Sequence, residues 1–303
     1  MKKAGKPAAP PELPPEIRPG QSIELLKELH ILTRDGQLNQ DSRRKLKQVY
    51  HLYQFIEPLL EDVAKAGRPV TLVDHGAGKS YLGFILYDLF FRQRPGSGHI
   101  IGIETRAELV QKSRALAGQL GFSGMEFLEL SVAEAIDAPG LPAEVDIVTA
   151  LHACNTATDD AIRFALARKA RHLVIVPCCQ AEVATSLRRH KASLLAKSAL
   201  GEIWRHPLHT REFGSQVTNV LRCLQLEAHG YQVTVTELVG WEHSMKNELI
   251  IATDRKLPGK HAGARLREVL DTLGLDELAE RFFVPPAAPG IQSDRKGAGI
   301  AIA

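Results

Sequence analysis

Between residues 22 and 66 apolar side chains recur at three- and four-residue spacing. Leu46, Val49, Tyr50 and Tyr53 follow Asp41 or Ser42, either of which can cap a helix. Arg44, Lys47, Gln48 and His51 fill the other face, and a charged face of this kind is most often simply solvated. From residue 70 the period changes. Short β-branched runs at 70–74, 100–104, 125–129, 145–151 and 172–176 alternate with amphipathic stretches. Their apolar faces carry Leu82, Ile85, Leu86 and Leu89, then Leu109, Ser113, Leu116 and Leu120, then Ala161, Ile162 and Ala165. Alternating strand and helix predicts a parallel, doubly wound α/β sheet. After residue 180 come a basic helix with Arg188, Arg189, His190 and Lys191, an irregular stretch to 210, and a helix to 230. The last two runs, 231–238 and 248–253, are joined by 239–247. That link is too short for a crossover helix, so these strands pair antiparallel.

The ends of the chain are different in kind. Pro7, Pro10, Pro11, Pro14, Pro15 and Pro19 stand among Lys2, Lys3 and Lys6, and the stretch 1–21 reads as a tail without regular structure. Residues 285–303 mirror it. Between the tails the pattern divides the chain into a helical extension (22–66), a sheet domain (67–255) with an insertion at about 188–210, and a small helical appendage (256–284). Lys and Arg total 38 against 35 Asp and Glu, a net +3 that excludes a histone-like polycation and leaves room for a local basic face. The most apolar stretch, 83–91, is interrupted by Asp88 and is shorter than the ~20 residues of a membrane-spanning helix. No apolar signal-peptide core precedes it, and four cysteines, with Cys178 and Cys179 adjacent, suit a reducing compartment. A cytoplasmic location and no membrane association are expected.

Chemistry concentrates where the first strand ends, at Val73-Asp74-His75-Gly76-Ala77-Gly78-Lys79-Ser80. Glycines in a strand-to-helix turn let a ligand approach backbone amides at a helix N-terminus. A phosphate-binding P-loop requires glycine where Val73 stands. A dinucleotide fingerprint requires its third glycine where Tyr81 stands, and Glu104 lies farther on than the acidic residue of that fingerprint. S-adenosylmethionine (SAM) meets neither objection. The turn and Asp74 meet its amino acid end, and Glu104, closing the second strand, accepts from both ribose hydroxyls. A turn without a ligand is the bland alternative, and Lys79 and Ser80 read as helix-opening residues.

The run from Asp74 to Leu82, with Ala150-Leu151-His152-Ala153-Cys154, Pro177-Cys178-Cys179 and Glu242-His243-Ser244-Met245-Lys246-Asn247, resembles a class I methyltransferase family over roughly 22–255. This is the group of methyltransferase-like proteins described as ribosomal-RNA-adenine-dimethylase-like. The resemblance implies a Rossmann-like fold with a seven-stranded sheet in the order 3-2-1-4-5-7-6 behind an N-terminal helical extension. It also implies cofactor positions at Asp74, Gly76, Gly78 and Glu104, with Ser131 or Val132 beside the adenine and Leu151 alongside. Asn155 and Ser244-Met245 depart from the family pattern, which bears on the methylated atom rather than on the cofactor.

His152, Cys154, Asn155, Thr156 and Asp159 leave the fourth strand, and Pro177, Cys178, Cys179 and Gln180 leave the fifth, so both groups are expected at the carboxyl edge of the sheet. A zinc deaminase is excluded, because the glutamate of its first motif is missing and its cysteines are not adjacent. No metal is expected, with the thiols packing around a flat substrate or cofactor; a structural or inhibitory metal on Cys154, Cys178 and Cys179 and a thiolate nucleophile are the alternatives. Methyl transfer from a sulfonium is downhill, so positioning dominates. A proton acceptor is expected from His152 or Asp159, Asn155 suits an exocyclic amine, and Cys178, Cys179, Gln180, Glu242 and His243 are expected around the acceptor. These readings converge on a SAM-dependent methyltransferase acting on a macromolecule, with rRNA or tRNA preferred and phosphates met by the two basic stretches. A protein acceptor and a noncatalytic SAM- or RNA-binding module are the alternatives.

Overall fold

The computed structural model describes residues 14–151, 153, 155–177, 180–189, 198–238, 248–257 and 259–283. Seven strands share one sheet: β1 (Val70–His75), β2 (Gly98–Glu104), β3 (Met125–Glu129), β4 (Ile147–Ala150), β5 (His172–Ile175), β6 (Tyr231–Glu237) and β7 (Glu248–Asp254). Their order is β3-β2-β1-β4-β5-β7-β6. The first five are parallel, while β7 is antiparallel to both β5 and β6. The expected hairpin therefore closes one side of the sheet. Strand order runs outward in both directions from β1 and β4, which makes their carboxyl ends the switch point where α/β sheets leave a crevice.

Ten helices flank the sheet among the described residues: α1 (Ile23–Glu28), α2 (Gln40–Ala64), α3 (Tyr81–Leu86), α4 (Ala107–Leu120), α5 (Val132–Asp137), α6 (Thr156–Ala167), α7 (Glu182–Arg189), α8 (Pro207–Ala228), α9 (Ala262–Leu273) and α10 (Ala279–Phe282). Successive strand residues point to opposite faces, so Leu72 and Ile100 join one core while Val73 and Ile101 join the other. The first core also contains Leu26, Ile56 and Leu60 from the N-terminal helices. Those helices cover the outer side of α3 and its continuation, a π turn at Tyr87–Phe91, so that every residue from 82 to 91 is buried. A third core, with Val183, Leu221, Leu266 and Phe282, joins α7 and α8 to the C-terminal helices.

Two boundaries differ from expectation. Regular structure is absent from 14–21, yet the segment is anchored: Ile17 packs on the first core, and the Arg18 guanidinium lies 4.9 and 4.8 Å from the ring centres of Tyr50 and Tyr53. Aromatic faces attract such a cation, which a proline count does not register. The Ser22 amide then donates to buried Asp88 (2.9 Å), which Arg92 also engages (2.6 Å). Asp88, the polar residue inside the most apolar stretch, thus pins the extension to the domain. The described part of the 188–210 insertion is a 3-10 turn, Ala199–Arg205, leading into α8. No helix among the described residues is long and apolar enough to cross a membrane.

Candidate cofactor and acceptor site

Asp74 stands opposite Thr149 in the register of β1 and β4, and Thr149 Oγ1 donates to its carboxylate at 2.6 Å. Burial pushes the Asp74 carboxyl up to about 7 in spite of that hydrogen bond. Its neighbour His75 points to the opposite face, where its ring meets Phe164 edge-on at 4.4 Å and neither nitrogen has a hydrogen-bond partner among the described residues. Burial holds that imidazole neutral, with its pKa down to about 3. The chain then turns through Gly76 and Gly78 at φ 63° and 59°, the left-handed region that disfavours side chains. A Cβ on Gly76 would stand 3.4 Å from the Ala153 backbone, so the turn is pressed against the end of β4.

Glu104 closes β2 beside this turn. Its Oε2 accepts from the Gly78 amide at 2.8 Å, and its Oε1 accepts from the Arg106 amide at 3.1 Å. The Arg106 side chain adds Nε to Oε1 at 2.9 Å and Nη2 to Oε2 at 3.2 Å. Burial alone would raise the Glu104 carboxyl, but these donors hold it below the usual range. It is therefore an anion aimed across the turn from Asp74.

Between the two carboxylates and the N-terminal helix lies a cavity of about 850 Å³. Asp74, Gly76, Gly78, Glu104, Ser131, Val132 and Leu151 all line it. Ser131 is fixed there as the cap of α5, in a reciprocal box with Glu134. The far wall comes from α2, which contributes Lys45, Gln48, Val49 and Leu52. A volume of this size accommodates a ligand as large as SAM. The glycine turn, the two carboxylates and the apolar wall of Val132 and Leu151 match its charged amino acid end, ribose and adenine in turn.

The acceptor side departs from expectation. Asp159 is not a cavity residue: Arg222 Nε and Nη2 hold its two oxygens at 2.7 and 3.0 Å, and Arg281 Nε donates at 3.0 Å. A carboxylate committed to two guanidiniums is an anchor rather than a proton acceptor. Asp160, one position on, lines the cavity, and burial raises its carboxyl. Gln180 is likewise internal, donating to Ser215 O (3.0 Å) and Asn219 Oδ1 (2.8 Å) while accepting from Arg222 Nη1 (3.3 Å). Asn155 precedes α6 at φ 54°, ψ −120°, between the cavity residues Ala153 and Ala157. Arg222 Nη2 donates to its carbonyl at 3.1 Å. His152, Cys154, Cys178, Cys179, Trp241, Glu242 and His243 lie outside the described residues.

Sequence reasoning missed Thr149, Arg106, Asp160, Lys45 and Arg222. A lone hydroxyl in the apolar run of β4 was a signal for Thr149. Arg222 had none, because its partner Asp159 is distant in sequence and the helix around it reads as ordinarily amphipathic. Among the described residues no group of three or more His, Cys, Asp or Glu side chains is arranged to hold a metal ion.

Residues 44–186 match a family model described as a methyltransferase domain. No curated protein matches the sequence. Among solved structures, the magnesium protoporphyrin IX methyltransferase of Synechocystis with bound SAH is similar at 13% identity, over 76% of this chain and 93% of that one, with a TM-score of 0.41. A putative caffeoyl-CoA O-methyltransferase from Staphylococcus aureus is 10% identical over 77% of this chain and 92% of its own, with a TM-score of 0.43. A SAM-dependent methyltransferase from Aquifex aeolicus is 16% identical over 64% and 88%, with a TM-score of 0.35. The matched stretch runs from the cavity wall on α2 into the middle of α7. Residues 44–186 are thus a methyltransferase domain, with S-adenosylmethionine as its methyl donor.

Proposed function

We propose that the protein methylates RNA, with the donor held between Asp74 and Glu104 and the acceptor entering along α2. The observation that carries this reading is the far wall of the cavity. Lys45 and Gln48 belong to the same basic helix that shows Arg44, Lys47 and His51 at its surface. A cationic surface continuous with a donor cavity suits a polyanion whose target base reaches inward.

SAM supplies an activated methyl group on its sulfonium. Asp74 receives the ammonium of its amino acid end, Glu104 the ribose hydroxyls, and Val132 and Leu151 the adenine. Alignment of donor and acceptor in such a cavity is worth up to ~7–11 kcal/mol. Asp160 is the cavity carboxylate placed to take a proton from the acceptor, and burial, by raising its pKa, makes it a stronger base than an exposed aspartate. Asn155, which lies in sequence between the cavity residues Ala153 and Ala157, orients the acceptor.

The test is label transfer from methyl-tritiated SAM into extract from cells lacking the protein, separated into RNA and protein fractions, with Asp74→Ala as the blank. Label in RNA above the blank is expected. Label confined to protein would replace the acceptor class, and no label in either, with SAM binding intact, would favour a noncatalytic module.

A further inference from the structure

The Glu104 carboxylate receives five donors: the Gly78 and Arg106 amides, Thr105 Oγ1, and Nε and Nη2 of Arg106. A carboxylate offers about four lone-pair positions, so it has no free capacity for ribose hydroxyls. Something must yield. The two amides are fixed by the glycine turn and by the start of α4. The Arg106 side chain is 59% exposed and lines the cavity, and screening by water keeps its ion pair weak. Ribose docking therefore displaces Arg106 Nε and Nη2 together with the rotatable Thr105 hydroxyl, and leaves the two amides in place.

The released guanidinium stays tethered beside a cavity whose lining also includes Lys45 and Lys79. Neither lysine has a carboxylate partner among the described residues. The same cavity holds the carboxylates of Asp74, Glu104 and Asp160, but with the first two engaged by the cofactor only Asp160 stands against the three cations. A guanidinium binds a phosphodiester through paired N–H donors as readily as it binds a carboxylate.

We propose that Arg106 is handed from Glu104 to a backbone phosphate of the acceptor when the cofactor's ribose docks, so that cofactor and RNA bind cooperatively. The hand-over rests on the reading of the acceptor as RNA. The competition at Glu104 does not. By linkage, whatever factor the cofactor contributes to RNA affinity, RNA contributes to cofactor affinity.

Calorimetry with S-adenosylhomocysteine and with a random-sequence single-stranded RNA oligonucleotide tests both parts. The homocysteine product lacks the sulfonium charge, so removing a nearby cation has no general electrostatic benefit. Arg106→Ala is expected to bind it about two- to fivefold tighter than wild type, the size of an exposed ion pair. Saturating S-adenosylhomocysteine should tighten RNA binding severalfold in wild type and leave it unchanged in Arg106→Ala. Equal or weaker S-adenosylhomocysteine binding by the variant overturns the competition. Wild-type RNA binding that is indifferent to the cofactor product overturns the hand-over. If neither protein binds RNA, the RNA reading falls and the hand-over with it, a failure that the first titration distinguishes from failure of the competition.

Discussion

Arg222 holds both carboxylate oxygens of Asp159, at 2.7 and 3.0 Å, with its own side chain fully buried. The same arginine reaches Gln180 after β5, the Asn155 carbonyl after β4, and Asn219, whose amide donates to Glu248 at the start of β7 (2.6 Å). One guanidinium therefore ties together the bases of three loops at the carboxyl edge. Removing its counter-charge should be severe: Asp159→Ala leaves Arg222 and Arg281 without it and is expected to cost about 3–5 kcal/mol. Urea unfolding would show this as a lowered midpoint with an unchanged slope. Arg222→Met combined with Asp159→Leu should cost less than either single change, since neither member of the fully buried pair is then left without the other.

Asn155 occupies φ 54°, ψ −120°, a region nearly reserved for glycine. Asn155→Gly should therefore stabilise the protein, by about 1 kcal/mol after the greater unfolded-state entropy of glycine is subtracted. A rise in Tm together with lost methyl transfer would mark a strained residue kept for its side chain. A fall in Tm would show that the asparagine contacts outweigh the strain.

Ionisation of Asp74 couples cofactor binding to pH. The ammonium of SAM requires the carboxylate, so the association constant should rise about tenfold per pH unit up to about 7 and level off above it. Stability without cofactor runs the other way. The folded pKa lies above the unfolded one, so the folded protein keeps a proton that the unfolded chain has lost. The contribution is complete below the unfolded value near 4 and is lost as pH rises through about 7. Asp74→Asn keeps an acceptor for Thr149 and removes the charge. It should raise Tm above pH 7, flatten its pH dependence between about 4 and 7, and abolish SAM binding.

If α2 and the glycine turn face the phosphates, Lys45→Glu with Lys79→Glu should weaken RNA binding and flatten its salt dependence. Each lost single-strand phosphate contact lowers the slope of log K against log salt by about 0.7. An unchanged slope would return this face to solvent.

The sheet was legible because its evidence is local: β-branched runs, helical periods between them, and a link too short to cross over before the last strand. The donor half of the site was legible for the same reason, since Asp74, Gly76 and Gly78 follow one another around a single turn. The acceptor half was not. Asp159 and Asp160 are adjacent, about 100° apart on α6, and only tertiary packing directs one toward Arg222 and the other toward the cavity. The basic face of α2 reads as solvated from its period alone, yet its Lys45 and Gln48 wall the cavity because the helix packs across the end of the sheet. Arg106 follows Glu104 so closely that it passes for an ordinary helix-opening residue.

Calorimetric titration of SAM into wild type and Asp74→Ala above pH 7, with circular dichroism to confirm the fold, tests whether Asp74 holds the methyl donor. Saturable one-to-one binding by wild type and none by the variant is the predicted result. Equal affinity in the two proteins would contradict it.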